Sequence, residues 1–382
     1  MPFRLTADQR ELRDELRTFT AEEVTPVASA LDGAGTYPKG ILAALADRGV
    51  TGLTVDESYG GRGAGNVELA VAVEELSAGL MSVGAALALH LGVAAAVERF
   101  GDPDLREAVL PAMARFETVG ALGLSEANAG SDKAAMETRA ERVEGHADGD
   151  GWVVSGHKQW VTNVREADVV LLYAKTGPDR EAPEHVSAFL VPAEDLAVDH
   201  EWDAIGGDSV PTARVEFEDL FVPDHRMVGR EGQALVERRR LTGGVNLPAR
   251  AVGIARASLD AAVDYADDRE QFGRPIGEFQ GVGWRLATMA ERVETARLLT
   301  LRAAEAADRG DADASALTSM AKVHATEAAV ENASDAMDVH GGVGFTSEYP
   351  VERYFRDAKL LTVAGGPNDV HRNTVADAVR SE

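Results

Sequence analysis

The chain has 382 residues, 45% of them apolar, enough for one large domain or a few closely packed ones and incompatible with wholesale disorder. Cysteine is absent, which excludes a disulfide scaffold, thiolate-held zinc or iron–sulfur centres and a thiol nucleophile. The net charge of −26 argues against a general nucleic-acid binder, whose footprint is basic. Its 6 Lys and 32 Arg fit a salt-rich cytoplasm and a GC-rich genome equally well.

From the N-terminus the pattern is helical. Residues 1–25 carry charges every few positions and lack the apolar run of a signal peptide, so no targeting segment is expected. Thr6 is placed to cap a helix, with Gln9 as capping-box partner and Leu12, Leu16 and Phe19 on one face. Pro26 is expected to end it. Further helices are predicted over 37–47, 67–78, 83–100 and from Asp102–Pro103 onward, with YGGRGAG (59–65) as a loop. The most apolar stretch, 82–97, is shorter than a membrane span and reads as a buried helix. A cytoplasmic protein with no membrane span is the expectation.

Between about 120 and 230, runs such as GWVVSGHKQWVTN, DVVLLYAK, VSAFLVP and ARVEFEDLFVP alternate with turn residues, the mark of a small antiparallel β-domain or barrel. Helices are predicted again over 261–269, 280–308, 312–339 and 367–380, with HGGVGF (340–345) as a turn. The fold class is therefore mostly α with a central β-barrel, divided into 1–117, 118–230 and 231–382.

Five segments have residue types suited to chemistry. LGLSEANAGSD (122–132) offers small residues and hydroxyls that let backbone amides approach a phosphate, though an ordinary strand-to-loop turn reads the same way. In HKQWVTN, Trp160 and Thr162 fall on one strand face, where an indole covers a ring and a hydroxyl reaches a ring nitrogen; the residues alone fit Trp160 as β-domain core better. DDREQFGRPIGEFQ (267–280) breaks a helix and presents Arg269, whose planar fork matches a pyrophosphate or a neighbouring acid. HGGVGF and RDAKLLTVAGGPNDVHR (356–372) complete the set, the second preceding a helix N-terminus suited to anions.

The order and spacing of YGGRGAG, LSEANAGSD, QWVTN, AVGIARASLDAAVDYADDREQFGRPIGEFQ, HGGVGF and RDAKLLT resemble the acyl-CoA dehydrogenase family over nearly the whole chain. The resemblance implies an N-terminal helical domain, a β-barrel and a C-terminal four-helix bundle. It also implies FAD between barrel and bundle, a homotetramer in which a neighbouring chain completes the site, and electron-transfer flavoprotein as acceptor. Carried over by residue, Leu124 and Ser125 lie against the flavin, Gly130 and Ser131 at the pyrophosphate, and Trp160 and Thr162 beside the isoalloxazine. Arg269, Gln271, Phe272, Gly341 and Gly342 of the adjacent subunit meet the pyrophosphate and adenosine half, with Asp338 where the family often has glutamine. The implied reaction belongs to fatty acid metabolism: a carboxylate removes the α-proton of an acyl-CoA while the β-hydrogen leaves as hydride to the flavin.

The chain departs from the pattern at the base. Gly365 stands at the usual glutamate, and Gly243 at the alternative base position before the AVGIAR helix. Leu241 and Gly244 replace an Asp-x-x-Arg pair; a one-residue shift gives Thr242 and Val245. Pro367 replaces a cofactor-holding threonine. Asp369 and His371 are the nearest substitutes, with Glu237 more remote; helix capping and a surface position explain Asp369 and His371 without chemistry. The alternatives are a flavoenzyme of the same fold with oxygen-using or carrier-tethered chemistry, and a base-less subunit of a heteromeric dehydrogenase.

Overall fold

The computed structural model describes residues 4–177, 183–238 and 243–381. Helices α1 (Ala7–Phe19), α2 (Thr25–Gly33), α3 (Lys39–Ala46), α4 (Asn66–Gly79), α5 (Met81–Phe100) and α6 (Pro103–Ala114) open the chain. Thr6 caps α1 as its sequence predicts: Thr6 Oγ1 accepts from the Gln9 N–H, and Gln9 Oε1 accepts from the Thr6 N–H. Pro26 does not end this helix. A π-helical turn, Thr20–Val24, carries the chain directly into α2, and Pro26 sits in the first turn of α2, where a missing N–H costs no intrahelical bond.

Helix α5 is long and apolar enough to cross a membrane, but it is mostly buried inside the protein. His90 at its centre ties helices to sheet. Its Nε2 donates to Met113 O at 3.0 Å, and its Nδ1 accepts from the Gly120 N–H at 3.2 Å. Burial pushes this imidazole down to about 4, so it serves as a neutral bridge.

The middle segment forms a curled sheet of β1 (Gly120–Gly123), β2 (Arg139–His146), β3 (Gly149–Thr162), β4 (Val169–Lys175), β5 (Val186–Pro192), β6 (Ala197–Glu201) and β7 (Thr212–Pro223). Its order is β1-β4-β2-β3-β7-β6, with β5 also paired to β4. The antiparallel expectation holds except where β1 runs parallel to β4, and where Arg139 of β2 pairs in parallel with Lys175. Trp152, Val154, Phe189, Val215 and Phe217 fill its interior.

Helices α7 (Ala234–Arg238) and α8 (Asn246–Asp268) follow, then a hairpin of β8 (Glu270–Gln271) and β9 (Arg274–Pro275). Helices α9 (Gln280–Arg309), α10 (Ala314–His340), α11 (Val351–Leu361) and α12 (Asn368–Ser381) complete the chain. Helix α8 starts well before position 261 because Pro248 falls in its first turn and breaks nothing. Helix α11 escapes the sequence reading: it is short and charged, and only Val351, Tyr354, Ala358 and Leu361 mark its buried stripe.

The N-terminal helices and the last helices share one hydrophobic core. Within it Glu74 and Glu75 of α4 are buried and bind three arginines. Arg17 and Arg256 reach Glu75 at 2.8 and 2.6 Å, and Arg297 reaches Glu74 at 2.7 Å. The cluster joins α1, α4, α8 and α9. Gly253 of α8 lets the backbones close in, since a Cβ there would lie 2.5 Å from Glu74 O.

A second buried carboxylate, Asp357 of α11, accepts from the Gly207 N–H at 2.8 Å and holds the loop before β7. Burial pushes Asp357 up to about 7, with Asp32 adding to the rise and Arg353 and Arg356 opposing it. The folded protein therefore binds this proton more tightly than the unfolded chain does.

Two stability measurements follow. Glu75→Ala removes the nearest carboxylate from both Arg17 and Arg256 and should cost about 3 kcal/mol in urea unfolding. Replacing Asp357 by Asn removes a group whose stabilising contribution is complete at acid pH and lost as pH rises through 7. The melting temperature of wild type relative to that variant should accordingly fall between pH 5 and 8; a constant difference contradicts it.

Candidate active site

Trp160 owes its position to a break in strand pairing. The β3–β7 register shifts between Lys158 and Val161, and Trp160 takes a left-handed φ of +61°. The bulge turns Val161 into the sheet and Trp160 outward, leaving the indole 54% exposed, so Trp160 is not core. Trp202 stacks against it at 4.6 Å between centroids and fixes the ring plane. Thr162 lies half-buried, its hydroxyl 3.0 Å from that of Thr212.

The Leu124–Ser125 turn is held beside this bulge. The Gln159 N–H donates to Ser125 O at 2.8 Å, and Lys158 Nζ reaches Glu126 Oε1 at 2.5 Å. Glu126 also accepts from the backbone N–H groups of Glu137 and Thr138. Burial pushes the Lys158 ammonium down to about 8 although Glu126 favours its charge. Burial alone would raise Glu126, but the Lys158 cation and its hydrogen bonds bring it below the ordinary range. This pair, which the sequence reading passed over, clamps one turn and one strand into a single face. Its letters stand inside two of the motifs, LSEANAGSD and HKQWVTN, with no local periodicity to pair them. Gly130 and Ser131 lie beyond, exposed, with no atom within 4 Å of a Cβ at Gly130.

The other group of expected residues sits at the far end of α8. Arg269, Gln271 and Phe272 form the hairpin after it, with Phe272 94% exposed at φ +54°. Tyr265, just before, stacks on His340 at 4.2 Å and so brings Gly341 and Gly342 to the same end. Both glycines have open space at Cβ. Asp338 is paired to Arg285 at 2.7 Å. At 23 residues, α8 spans about 35 Å and places its own Gly365 contact and this hairpin at opposite ends of one chain.

At the expected base position the structure shows why glycine is there. Gly365 has φ +66°, and a Cβ on it would lie 2.2 Å from Leu247 Cδ1. Leu247 occupies the space a side chain would enter. Below the turn, Lys322 Nζ donates to Thr362 O, Gly366 O and Asn368 Oδ1 at 3.2, 2.8 and 2.7 Å. Its burial pushes it down to about 8. Asp369 is exposed and paired with Arg372 at 2.9 Å. His371 is closer to the turn: Nδ1 lies 3.2 Å from Ser319 Oγ and Nε2 lies 3.4 Å from Gly365 O. Burial, then the Lys322 cation, holds it below the ordinary imidazole value. Glu237 is buried on α7, which packs on β5, and its carboxylate lies 3.4 Å from Arg230 Nε. Gly243 and Gly244 enter a short 3-10 turn before α8, whereas Leu241 and Thr242 lie outside the described residues. No group of His and acidic residues among the described residues is arranged to hold a metal.

The two faces suit a dinucleotide with an aromatic head. One offers an exposed indole, hydroxyls and a buried clamp; the other offers an arginine, an exposed phenyl ring and open glycines. Gly365→Glu alone should destabilise the protein by about 1–3 kcal/mol, through left-handed strain and overlap with Leu247. The double variant with Leu247→Ala should lose less than the sum of the single losses in a thermal double-mutant cycle.

Comparison with known proteins gives the family. Residues 6–117, 121–220 and 234–380 match the family models for the N-terminal, middle and C-terminal domains of acyl-CoA dehydrogenase. The chain is 36% identical to the probable acyl-CoA dehydrogenase FadE25 of Mycobacterium tuberculosis, covering 99% of this chain and 96% of that one. It superimposes on butyryl-CoA dehydrogenase of Megasphaera elsdenii with a TM-score of 0.93 at 30% identity, over 99% and 100% of the two chains. It also matches a chain in the structure described as the electron transferring flavoprotein of Acidaminococcus fermentans, with a TM-score of 0.94 at 33% identity over 99% of each. Members of the matched family are FAD enzymes. The chain belongs to the acyl-CoA dehydrogenase family, oxidoreductases that act on CH–CH groups.

Proposed function

We propose that the protein binds FAD and desaturates an acyl thioester between Cα and Cβ, with electron-transfer flavoprotein as the electron acceptor. The observation that carries this reading is the outward indole of Trp160, stacked on Trp202 and locked beside the Leu124–Ser125 turn. The flavin, when bound, supplies the hydride acceptor. The chain's own work is to cover the ring with Trp160, direct the Thr162 hydroxyl at its edge and position the thioester. Ser131 and Gly130 serve the pyrophosphate. The Gly365 N–H is suited to hydrogen-bond the thioester carbonyl, which acidifies the α-proton.

The separation along α8 supports assembly with a second copy. Arg269, Gln271 and Phe272 are exposed beyond the end of α8, with Asp338, Gly341 and Gly342 brought to the same end by the Tyr265–His340 stack, and suit a neighbouring subunit's cofactor. Trp284 and Phe345 are likewise exposed on this end. A homotetramer, a role in fatty acid metabolism, a cytoplasmic location and the domain limits 1–117, 118–230 and 231–382 belong to the same proposal.

His371 is assigned here as the proton acceptor. It is a titratable side chain at the Gly365 turn, its Nε2 3.4 Å from Gly365 O; burial and the Lys322 cation keep it neutral before the reaction and also lower its proton affinity, which makes it a weak base. The occupied space at Gly365 favours one competing reading, a base-less member with altered chemistry or a heteromeric partner.

Anaerobic mixing with a panel of acyl-CoAs separates these readings. A dehydrogenase bleaches its flavin with some thioester, an oxygen-using relative bleaches only with an external reductant, and a heteromeric subunit stays oxidised until its partner is added. His371→Ala should slow bleaching about 10²–10⁴-fold while leaving FAD bound. An unchanged rate removes His371 from the reaction.

A further inference from the structure

Helix α8 carries a buried cation that the reading above leaves without a role. Arg250 is 7% exposed; its Nη2 donates to Asn246 Oδ1 at 2.8 Å, and among the described residues its Nε has no acceptor. Among the described residues no carboxylate is paired with it. The undescribed segment just before α8, 239–242, reads Arg-Arg-Leu-Thr and contains no acid. The other buried arginine of this helix, Arg256, is answered by Glu74 and Glu75. An isolated guanidinium in an apolar layer is costly unless a ligand brings the opposite charge.

Its place in the fold says which ligand. Leu247, Arg250 and Gly253 recur every three residues and share one stripe of α8. Leu247 packs on Gly365, and Gly253 packs on Glu74, Ser77 and Ala78 of α4. Arg256 then reaches back to Glu74 and Glu75, so α8 runs antiparallel to α4. Arg250 therefore lies three residues, about 4.5 Å of helix rise, along α8 from the contact at Gly365. Helix α8 packs against both α4 and α5. The buried Ser77 hydroxyl, beside Gly253, has no partner among the described residues.

We propose that Arg250 anchors a carboxylate at the far end of the acyl chain, so that the preferred substrate is the thioester of a dicarboxylic acid. The inference rests on the acyl-thioester reading of the site. The thioester carbonyl sits by Gly365, and the distal carboxylate meets the guanidinium a few carbons further in. An uncharged acyl tail in the same place leaves the cation stranded.

The test is equilibrium binding of adipyl-CoA and of hexanoyl-CoA to the FAD-loaded protein, read from the flavin spectrum and by calorimetry. Wild type should favour adipyl-CoA by at least about 30-fold, the cost of leaving one member of a buried charge pair unpaired. Arg250→Met should abolish the preference, and Arg250→Lys should retain part of it. Without ligand, Arg250→Met should melt no lower than wild type, because it removes an unpaired buried charge. Equal or tighter binding of hexanoyl-CoA by wild type overturns the dicarboxylate assignment alone, as does a preference that survives Arg250→Met. Failure to bind either thioester overturns the acyl-thioester reading, and this inference with it.

Discussion

Glu74 and Glu75 carry two carboxylates into the interior of a helical layer, where only a close ring of guanidinium groups makes their burial tolerable. That requirement draws Arg17, Arg256 and Arg297 inward and locks α8 onto α4 at Gly253. With α8 fixed, the rest of the site falls into place along it. Leu247 at one end closes the space at Gly365, and the Arg269 hairpin at the other end is exposed. The helix sets the distance between the Gly365 turn and the hairpin.

A second fixed point lies in the sheet. Lys158 and Glu126 are buried together, and their pairing ties the Leu124–Ser125 turn to the bulged strand that presents Trp160. A lone lysine in that position would be driven neutral; a lone glutamate would be driven protonated. Together they give a stiff floor under an exposed aromatic ring, which suits a surface that must receive a large planar ligand without rearranging.

Much of this was legible in the sequence. Thr6 and Gln9 announced the first helix, alternation announced β3 and β7, and the glycine-punctuated motifs stood in the order of the family to which the chain belongs. What escaped had physical causes. Pro26 reads as a stop only if the preceding turn stays α-helical, and a π turn removed that condition. Trp160 reads as core only if strand alternation is regular, and the bulge removed that one. The Lys158–Glu126 pair, the Lys322 cluster under the glycine turn and the isolated Arg250 join residues far apart in the chain, or depend on a partner being absent. No local pattern signals either. Gly365 is the instructive case: its letter showed that a carboxylate was missing, but only the Leu247 contact shows that the space for one has been filled.

The account stands on hydride leaving the β-carbon of a thioester for a flavin held against Trp160. The most direct measurement is the anaerobic rate of flavin reduction by an acyl-CoA deuterated at the β-carbon, set beside its unlabelled counterpart. A slower reduction with the labelled thioester is the predicted result. Flavin that stays oxidised with both, across the range of thioesters offered, contradicts it.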